Sequence, residues 1–240
     1  MRPRRLVLHV HSTWSHDGSW TLARIARLFG RLGHDAVLMT EHDTGFDPAA
    51  FPDYRAACAE ASTRACTLVP GIEYSDEDND VHVLTWGLEA FLAPSRPTAG
   101  ILAAVAEAGG AAVLAHPVRH AAWRRFDPAW TPHLSAIEMW NRKADGVAPG
   151  REARRLIAET GLPATVGMDF HKARHLWPLD NLLEADGPIE AAAVAALREG
   201  RLIPRAFRRR LTGEDGVPAS TPRHDRLERA RRRARDLVRR

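Results

Sequence analysis

Two histidines separated by one residue, His9 and His11 in Leu6-Val7-Leu8-His9-Val10-His11, are placed to grip a single cation. The apolar, partly β-branched run before them predicts a short buried strand from Leu6 to Val10. Side chains alternate faces along a strand, so both imidazoles point the same way, with Asp17 nearby as an oxygen donor. Comparable donors recur down the chain: His42, Glu73, His82, His116, Asp169 and His171. Together they make six imidazoles and three carboxylates. A structural zinc takes about four ligands and a catalytic one about three, so this set predicts a cluster of two or three ions. Imidazole and carboxylate donors without cysteine suit zinc, manganese or iron. Glu73, on a central strand, is the expected bridge.

Those donors need elements to carry them. Strands are expected at Leu6 to Val10, Ala36 to Thr40, Thr67 to Glu73 (interrupted near Pro70-Gly71), Val81 to Trp86, Ala111 to Ala115, Ser135 to Trp140 and Ala164 to Met168. Helices are expected at Thr21 to Gly33, Pro48 to Ala65, Pro97 to Gly109, Gly150 to Thr160 and Ile189 to Glu199, with Arg201 to Ala206 as an edge strand. Alternating strands and helices imply parallel strands with helices packed outside. Polar groups after nearly every strand favour a βα barrel, whose chemistry sits at the strand C-termini. An open doubly wound sheet would place such groups only near its switch point.

The formal net charge of +4 over 240 residues hides an asymmetry. Residues 201–240 carry 14 Arg against five Asp and Glu, leaving 20 basic and 25 acidic side chains in 1–200. The expected division is a barrel over 1–206 and an Arg-rich linker and tail helix over 207–240. Leu211 to Pro222 reads as a flexible linker. Asp225 to Arg240 reads as a helix with Leu227, Ala230, Ala234, Leu237 and Val238 along one side. Two readings fit such a tail: a solvated tail or a helix resting on the barrel, or a segment attracted to nucleic acid or an acidic surface through counterion release. No aromatic residue interrupts its arginines, so base stacking gains no support there. No apolar run approaches the roughly 18 residues of a membrane span. The apolar stretch Leu6 to Leu8 is too short for a signal peptide, which predicts a cytoplasmic location. Cys58 and Cys66 suggest neither a disulfide framework nor a zinc knuckle.

The donor-bearing motifs are His9-Val10-His11-Ser12 with Ser15-His16-Asp17-Gly18, Thr40-Glu41-His42-Asp43, Gly71-Ile72-Glu73, His82, His116-Pro117 and Gly167-Met168-Asp169-Phe170-His171. In this order they resemble the PHP (polymerase and histidinol phosphatase) family of metal-dependent hydrolases. The resemblance implies a distorted (β/α)7 barrel with a two- or three-metal site at its C-terminal face. It also implies one ion on His9, His11, Glu73 and Asp169, a second on Glu73, His82 and His116, and a third on Asp17, His42 and His171. The catalytic water would be held through His9, His11, Glu73, His116 and Asp169. The strand Ile137-Glu138-Met139-Trp140-Asn141 also resembles the carbaryl-hydrolase-like branch. Three departures stand out. His16 precedes Asp17 and competes with it as a ligand, Glu41 stands where Asp is usual, and Met168 replaces a small residue and could alter the pocket wall.

Clustered divalent ions bring a shared water near neutrality and offset charge on phosphoryl oxygens. Neither a P-loop nor a GxSxG elbow is present in the sequence. The expected function is a metal-dependent phosphoesterase acting on a small phosphomonoester or nucleotide. The alternatives are a carbamate or amide ester hydrolase at the same metals, or a non-catalytic module associated with nucleic acid. Candidate substrate contacts are Arg119 and His120, then Asn141, Lys172, Arg174 and His175. Glu41 and Asp43 are candidates to orient the imidazoles.

Overall fold

The computed structural model describes residues 2–92 and 96–238. Arg239, Arg240 and the side chain of Val238, part of the expected tail helix, lie outside the described residues. The chain opens with β1 (Arg4–Val10), α1 (Leu22–Arg31), β2 (Ala36–Met39), β3 (Glu41–His42), α2 (Phe51–Ala61), β4 (Thr67–Val69), β5 (Gly71–Ser75) and β6 (His82–Trp86). It continues with α3 (Thr98–Glu107), β7 (Ala111–Leu114), β8 (Ala136–Asn141), α4 (Arg142–Asp145), α5 (Arg151–Thr160) and β9 (Ala164–Phe170). Last come β10 (Leu179–Leu183), α6 (Ile189–Arg198), β11 (Ile203–Ala206), β12 (Arg209–Arg210) and α7 (Pro222–Val238).

Local chemistry accounts for the helices. Thr21 caps α1 through its hydroxyl, Leu22, Ile25, Ala26 and Phe29 form the buried face, and Gly33 follows the helix at φ +78°. The strands follow a ring of pairings. β1 pairs in parallel with β2 and β9, β2 with β4, and β3 with β5. β7, β8 and β9 are also parallel. Because β2 runs into β3 across Thr40, and β4 into β5 across Pro70, the path through β6 and back to β1 traces a distorted barrel.

The expectation of parallel strands throughout needs correcting at β6, which is antiparallel to both β5 and β7. The connection 76–81 is too short for a crossover helix and closes as a turn, with Asp76 and Val81 hydrogen-bonded across it. His82 therefore opens its strand, yet the reversed direction brings it to the same rim as the C-termini of the parallel strands. β10 was not expected at all. It pairs antiparallel with the first half of β1 and carries β11, which in turn carries β12, so Ile203–Ala206 is an interior strand of this extension.

Two apolar layers hold the barrel. Leu6, Leu8, Leu38, Val69, Leu84, Trp86 and Val113 fill its interior, and Ala193, Ala196 and Leu197 of α6 join them. Val7, Val10, Ile25, Phe29, Ile137 and Leu156 pack in the layer between strands and helices. The segment after β12 stays on this body: Leu211 is buried, and its backbone bonds to Pro204 and Ala219. α7 docks by its polar side, where Glu228 accepts from the Val147 N–H at 3.0 Å and Asp225 pairs with Arg154 at 3.0 Å. The side that carries Leu227 and Leu237 faces solvent, the two being 60% and 75% exposed. Among the described residues no helix is long and apolar enough to cross a membrane.

Candidate metal centre

Simple alternation would turn His9 away from the barrel axis, because Leu6 and Leu8 already point inward. A β-bulge solves this. His9 sits at φ +63°, and the register of β1 against both β2 and β9 shifts between Leu8 and Val10. Val10 then packs in the outer layer, and His9 and His11 both reach the rim. β8 has a matching shift between Glu138 and Trp140, which aims both Glu138 and Asn141 inward. Asp169 (φ +50°) and His116 (φ +26°) also occupy the left-handed region, which non-glycine residues rarely visit. Strain of this kind gathers where surrounding packing fixes a functional side chain.

The seven side chains His9, His11, His42, Glu73, His116, Asp169 and His171 meet in three overlapping triads. These are His9–Glu73–His116, His9–His11–Asp169 and His11–His42–His171, with donor atoms in each within 4.8 Å of one another. Glu73 is the hub. Its Oε1 lies 2.6 Å from His82 Nδ1 and 3.0 Å from His116 Nε2. Its Oε2 lies 3.2 Å from His42 Nδ1 and 3.3 Å from both His9 Nε2 and His11 Nε2. Asp17 stands beside the third triad, 2.9 Å from His171 and 3.4 Å from His42. His16 only approaches His42 ring to ring at 5.4 Å, so Asp17 is the closer donor. His82 touches Glu73 but falls outside the triads, its other nitrogen facing Asn79 at 2.7 Å and Arg119 at 3.0 Å.

The residues fit divalent cations. Among the described residues His11 Nε2 and His116 Nδ1 are buried with no hydrogen-bond partner, although His11 Nε2 faces Glu73. An unpaired imidazole nitrogen in a dry, carboxylate-rich site costs free energy unless a cation takes its lone pair. Charge points the same way. Burial opposes ionisation throughout, yet the carboxylates of Glu138, Glu73 and Asp169 hold His9 well above its ordinary pKa. Burial is likewise overcome at His42, which Asp17 and Glu73 raise to about 10. Glu73 and Asp169 are pressed below the usual carboxylate range, burial being outweighed chiefly by His9 with His82 or Lys143. Burial, with the charges of His42 and His171, pushes His11 well below its ordinary value. The rim is thus a set of carboxylates that demands cations.

Glu138 is the anchor that sequence reading passed over as a strand residue. Its carboxylate takes the His9 Nδ1 contact at 3.0 Å, the His116 N–H at 2.8 Å and the Asn141 amide at 2.9 Å. This fixes which His9 nitrogen faces Glu73. Gly167 makes room for the arrangement, since a Cβ there would overlap Glu138 Oε1 and press on His9 Cβ at 2.8 Å. Gly167→Ala is expected to cost about 1–3 kcal/mol through overpacking and to lower metal retention. Thermal denaturation paired with elemental analysis checks this, and a melting curve matching wild type would refute it.

Glu41 does not touch an imidazole, contrary to expectation. It accepts from Ser12 and Ser15 and so shapes the 12–18 loop, while Ser15 Oγ receives the His42 N–H at 3.0 Å. Asp43 likewise contacts Thr44 and the neighbouring backbone. Met168 points into the outer layer and forms no pocket wall.

A cavity of about 550 Å3 opens over the cluster, and Arg119, His120 and Lys143 line it. Arg119 donates to Asn79 O at 2.9 Å, and His120 lies 3.3 Å from Asp80. Asn141 does not reach the cavity: buried completely, it spends its amide on Glu138 and caps α4 through Lys143 N and Ala144 N. Arg174 is exposed beside His175 and also stays outside, while His175 accepts the His171 N–H. Lys143 was missed. Its Nζ lies 3.1 Å from Asp169 and 3.4 Å from His171. One signal existed: the chain has only two lysines against 32 arginines, so a lysine beside Asn141 is unusual for this sequence.

No family model and no curated protein matches the sequence. Solved structures do match. A two-domain Bacteroides vulgatus protein containing a predicted PHP-like metal-dependent phosphoesterase superposes with a TM-score of 0.69 at 17% identity, covering 89% of this chain and 68% of that one. PsfC from Pseudomonas syringae gives 0.63 at 18% identity, over 98% and 99%. The lesion-specific endonuclease PfuEndoQ from Pyrococcus furiosus gives 0.62 at 15%, over 88% of this chain and 58% of that chain. These likenesses establish a shared fold, that of PHP-like phosphoesterase domains.

Proposed function

We propose that the chain is a metal-dependent phosphoesterase of the PHP type, acting on a small phosphomonoester or nucleotide. The observation that carries this reading is the convergence of seven imidazole and carboxylate side chains in three triads beneath a cavity lined by Lys143 and Arg119. Of the ligand sets that the resemblance implies, His9, His11 and Asp169 recur together in one triad, Glu73 and His116 in a second, and His42 and His171 in the third, with Glu73 shared between two sets. Bound divalent ions would supply a water acidic enough to attack at neutral pH and would offset charge on the phosphoryl oxygens. Glu138 keeps His9 oriented, and Ser15, held by Glu41, places the backbone of His42. Lys143 and Arg119 present the cationic groups that meet phosphate oxygens from the open side, Arg119 with a planar fork suited to two of them.

Hydrolysis of p-nitrophenyl phosphate with added manganese or zinc tests this directly. Turnover that inorganic phosphate inhibits supports it. A metal-loaded enzyme that cleaves amide or carbamate esters and ignores phosphate would favour the alternative hydrolase. Lys143→Met is expected to lower kcat/KM by about 10²-fold, the usual effect of removing one positioned donor to transition-state charge. Metal content should be unchanged. Steady-state kinetics equal to wild type would take Lys143 out of substrate recognition.

A further inference from the structure

A groove of about 900 Å3 runs between α7 and the α4–α5 region, and Ala144 lines both this groove and the cavity over the metal centre. Arg151 and Arg154 stand on the α5 side, and Arg229, Arg231, Arg232 and Arg235 on the α7 side. Four acidic side chains share the lining, so the arginines prevail. Glu228 occupies Arg231 and Arg232, and Asp225 occupies Arg154. Arg151 and Arg229 are exposed and make no ion pair among the described residues.

Docking makes this more than a charged tail. Glu228 ties α7 to Val147, and the His224 ring packs 5.3 Å from Trp140 and 5.9 Å from Phe207. The helix thus turns its polar side, rather than its leucines, toward the barrel. Trp123, half-buried, lines the same groove, and the Arg155 guanidinium lies 4.8 Å over its ring. The aromatic surface that the tail sequence lacks is supplied by a segment distant in the chain. Arginines that track phosphates, beside a planar surface that stacks on bases, form the usual platform for single-stranded nucleic acid.

We propose that this groove binds single-stranded nucleic acid and holds the nucleotides adjoining the phosphate presented to the metal centre. The proposal rests on the phosphoesterase reading for its purpose, but binding alone tests it. Anisotropy of a short fluorescein-labelled oligothymidylate is measured on the full chain in EDTA, so that hydrolysis cannot intervene. Affinity should fall steeply with salt, with a log–log slope of about −0.7 for each phosphate contacted. The double variant Arg151→Glu/Arg229→Glu should bind at least about tenfold more weakly with a flatter slope, as two phosphate contacts are lost. Arg27→Glu/Arg31→Glu, on α1, should bind as wild type does. Trp123→Ala should weaken binding at unchanged slope. Equal affinity in the two double variants would overturn the groove, and an unaffected Trp123→Ala would overturn its assignment to nucleic acid. Turnover of p-nitrophenyl phosphate should persist in all of these variants. Its absence from the wild type would count against the phosphoesterase reading and leave the binding result standing.

Discussion

Glu73→Gln is expected to remove metal binding and to cut turnover at least about 10³-fold, equivalent to about 4 kcal/mol of transition-state stabilisation. Five imidazoles, those of His9, His11, His42, His82 and His116, lie within 3.3 Å of its two oxygens, and its side chain is 1% exposed. Glutamine keeps the size but removes the charge, and it turns an amide N–H₂ toward groups that need an acceptor. The charge pressed onto Glu73 by the imidazoles around it is the same charge that would hold a cation. The barrel should survive, because its interior below the rim is packed by Leu6, Leu8, Leu38, Leu84 and Trp86, which do not depend on Glu73. Circular dichroism would therefore remain that of wild type while metal content falls. Wild-type turnover in this variant would sink the assignment.

Glu138→Ala should have the largest effect on stability. Three donors converge on this carboxylate: the His9 ring, the backbone of His116 and the amide of Asn141. All four residues are buried. Removing the acceptor strands a histidine whose charge it supports, together with two uncharged donors. Breaking such a buried pair on one side costs about 3–5 kcal/mol. For a chain of this length that corresponds to a fall in melting temperature of roughly 10 °C. Glu138→Gln keeps one acceptor and should fall in between. Thermal denaturation decides the matter, and a melting temperature within about 2 °C of wild type for the alanine variant would show that Glu138 is not the anchor.

Short-range pattern made most of the barrel legible. Apolar runs of strand length ending in His, Glu or Asp mark a rim before any tertiary contact is known, and helical spacing in Leu22 to Phe29 marks the outer layer. What escaped depends on partners distant in the chain. The run at β6 reads alike in either direction, and only the shortness of 76–81 betrays its reversal. β10 carries Asp180 and Asn181 in a strand, which looks unfavourable until Arg5 and Arg205 pair with Asp180 and Asn181 bonds to Val166. Strict alternation cannot foresee the bulge that brings His9 inward beside Leu8. Asn141 ends a strand and so reads as a substrate contact, whereas Lys143, the second residue of α4, faces the cavity. The tail helix has an apolar stripe, but Glu228 and His224 found better partners on the barrel than Leu227 and Leu237 did.

Metal content per chain, measured by elemental analysis on wild-type protein reconstituted with zinc or manganese and freed of excess ion, tests the central claim most directly. The convergence of the three triads predicts two to three equivalents retained per chain. Retention of none after reconstitution would contradict the metal centre and the mechanism built on it.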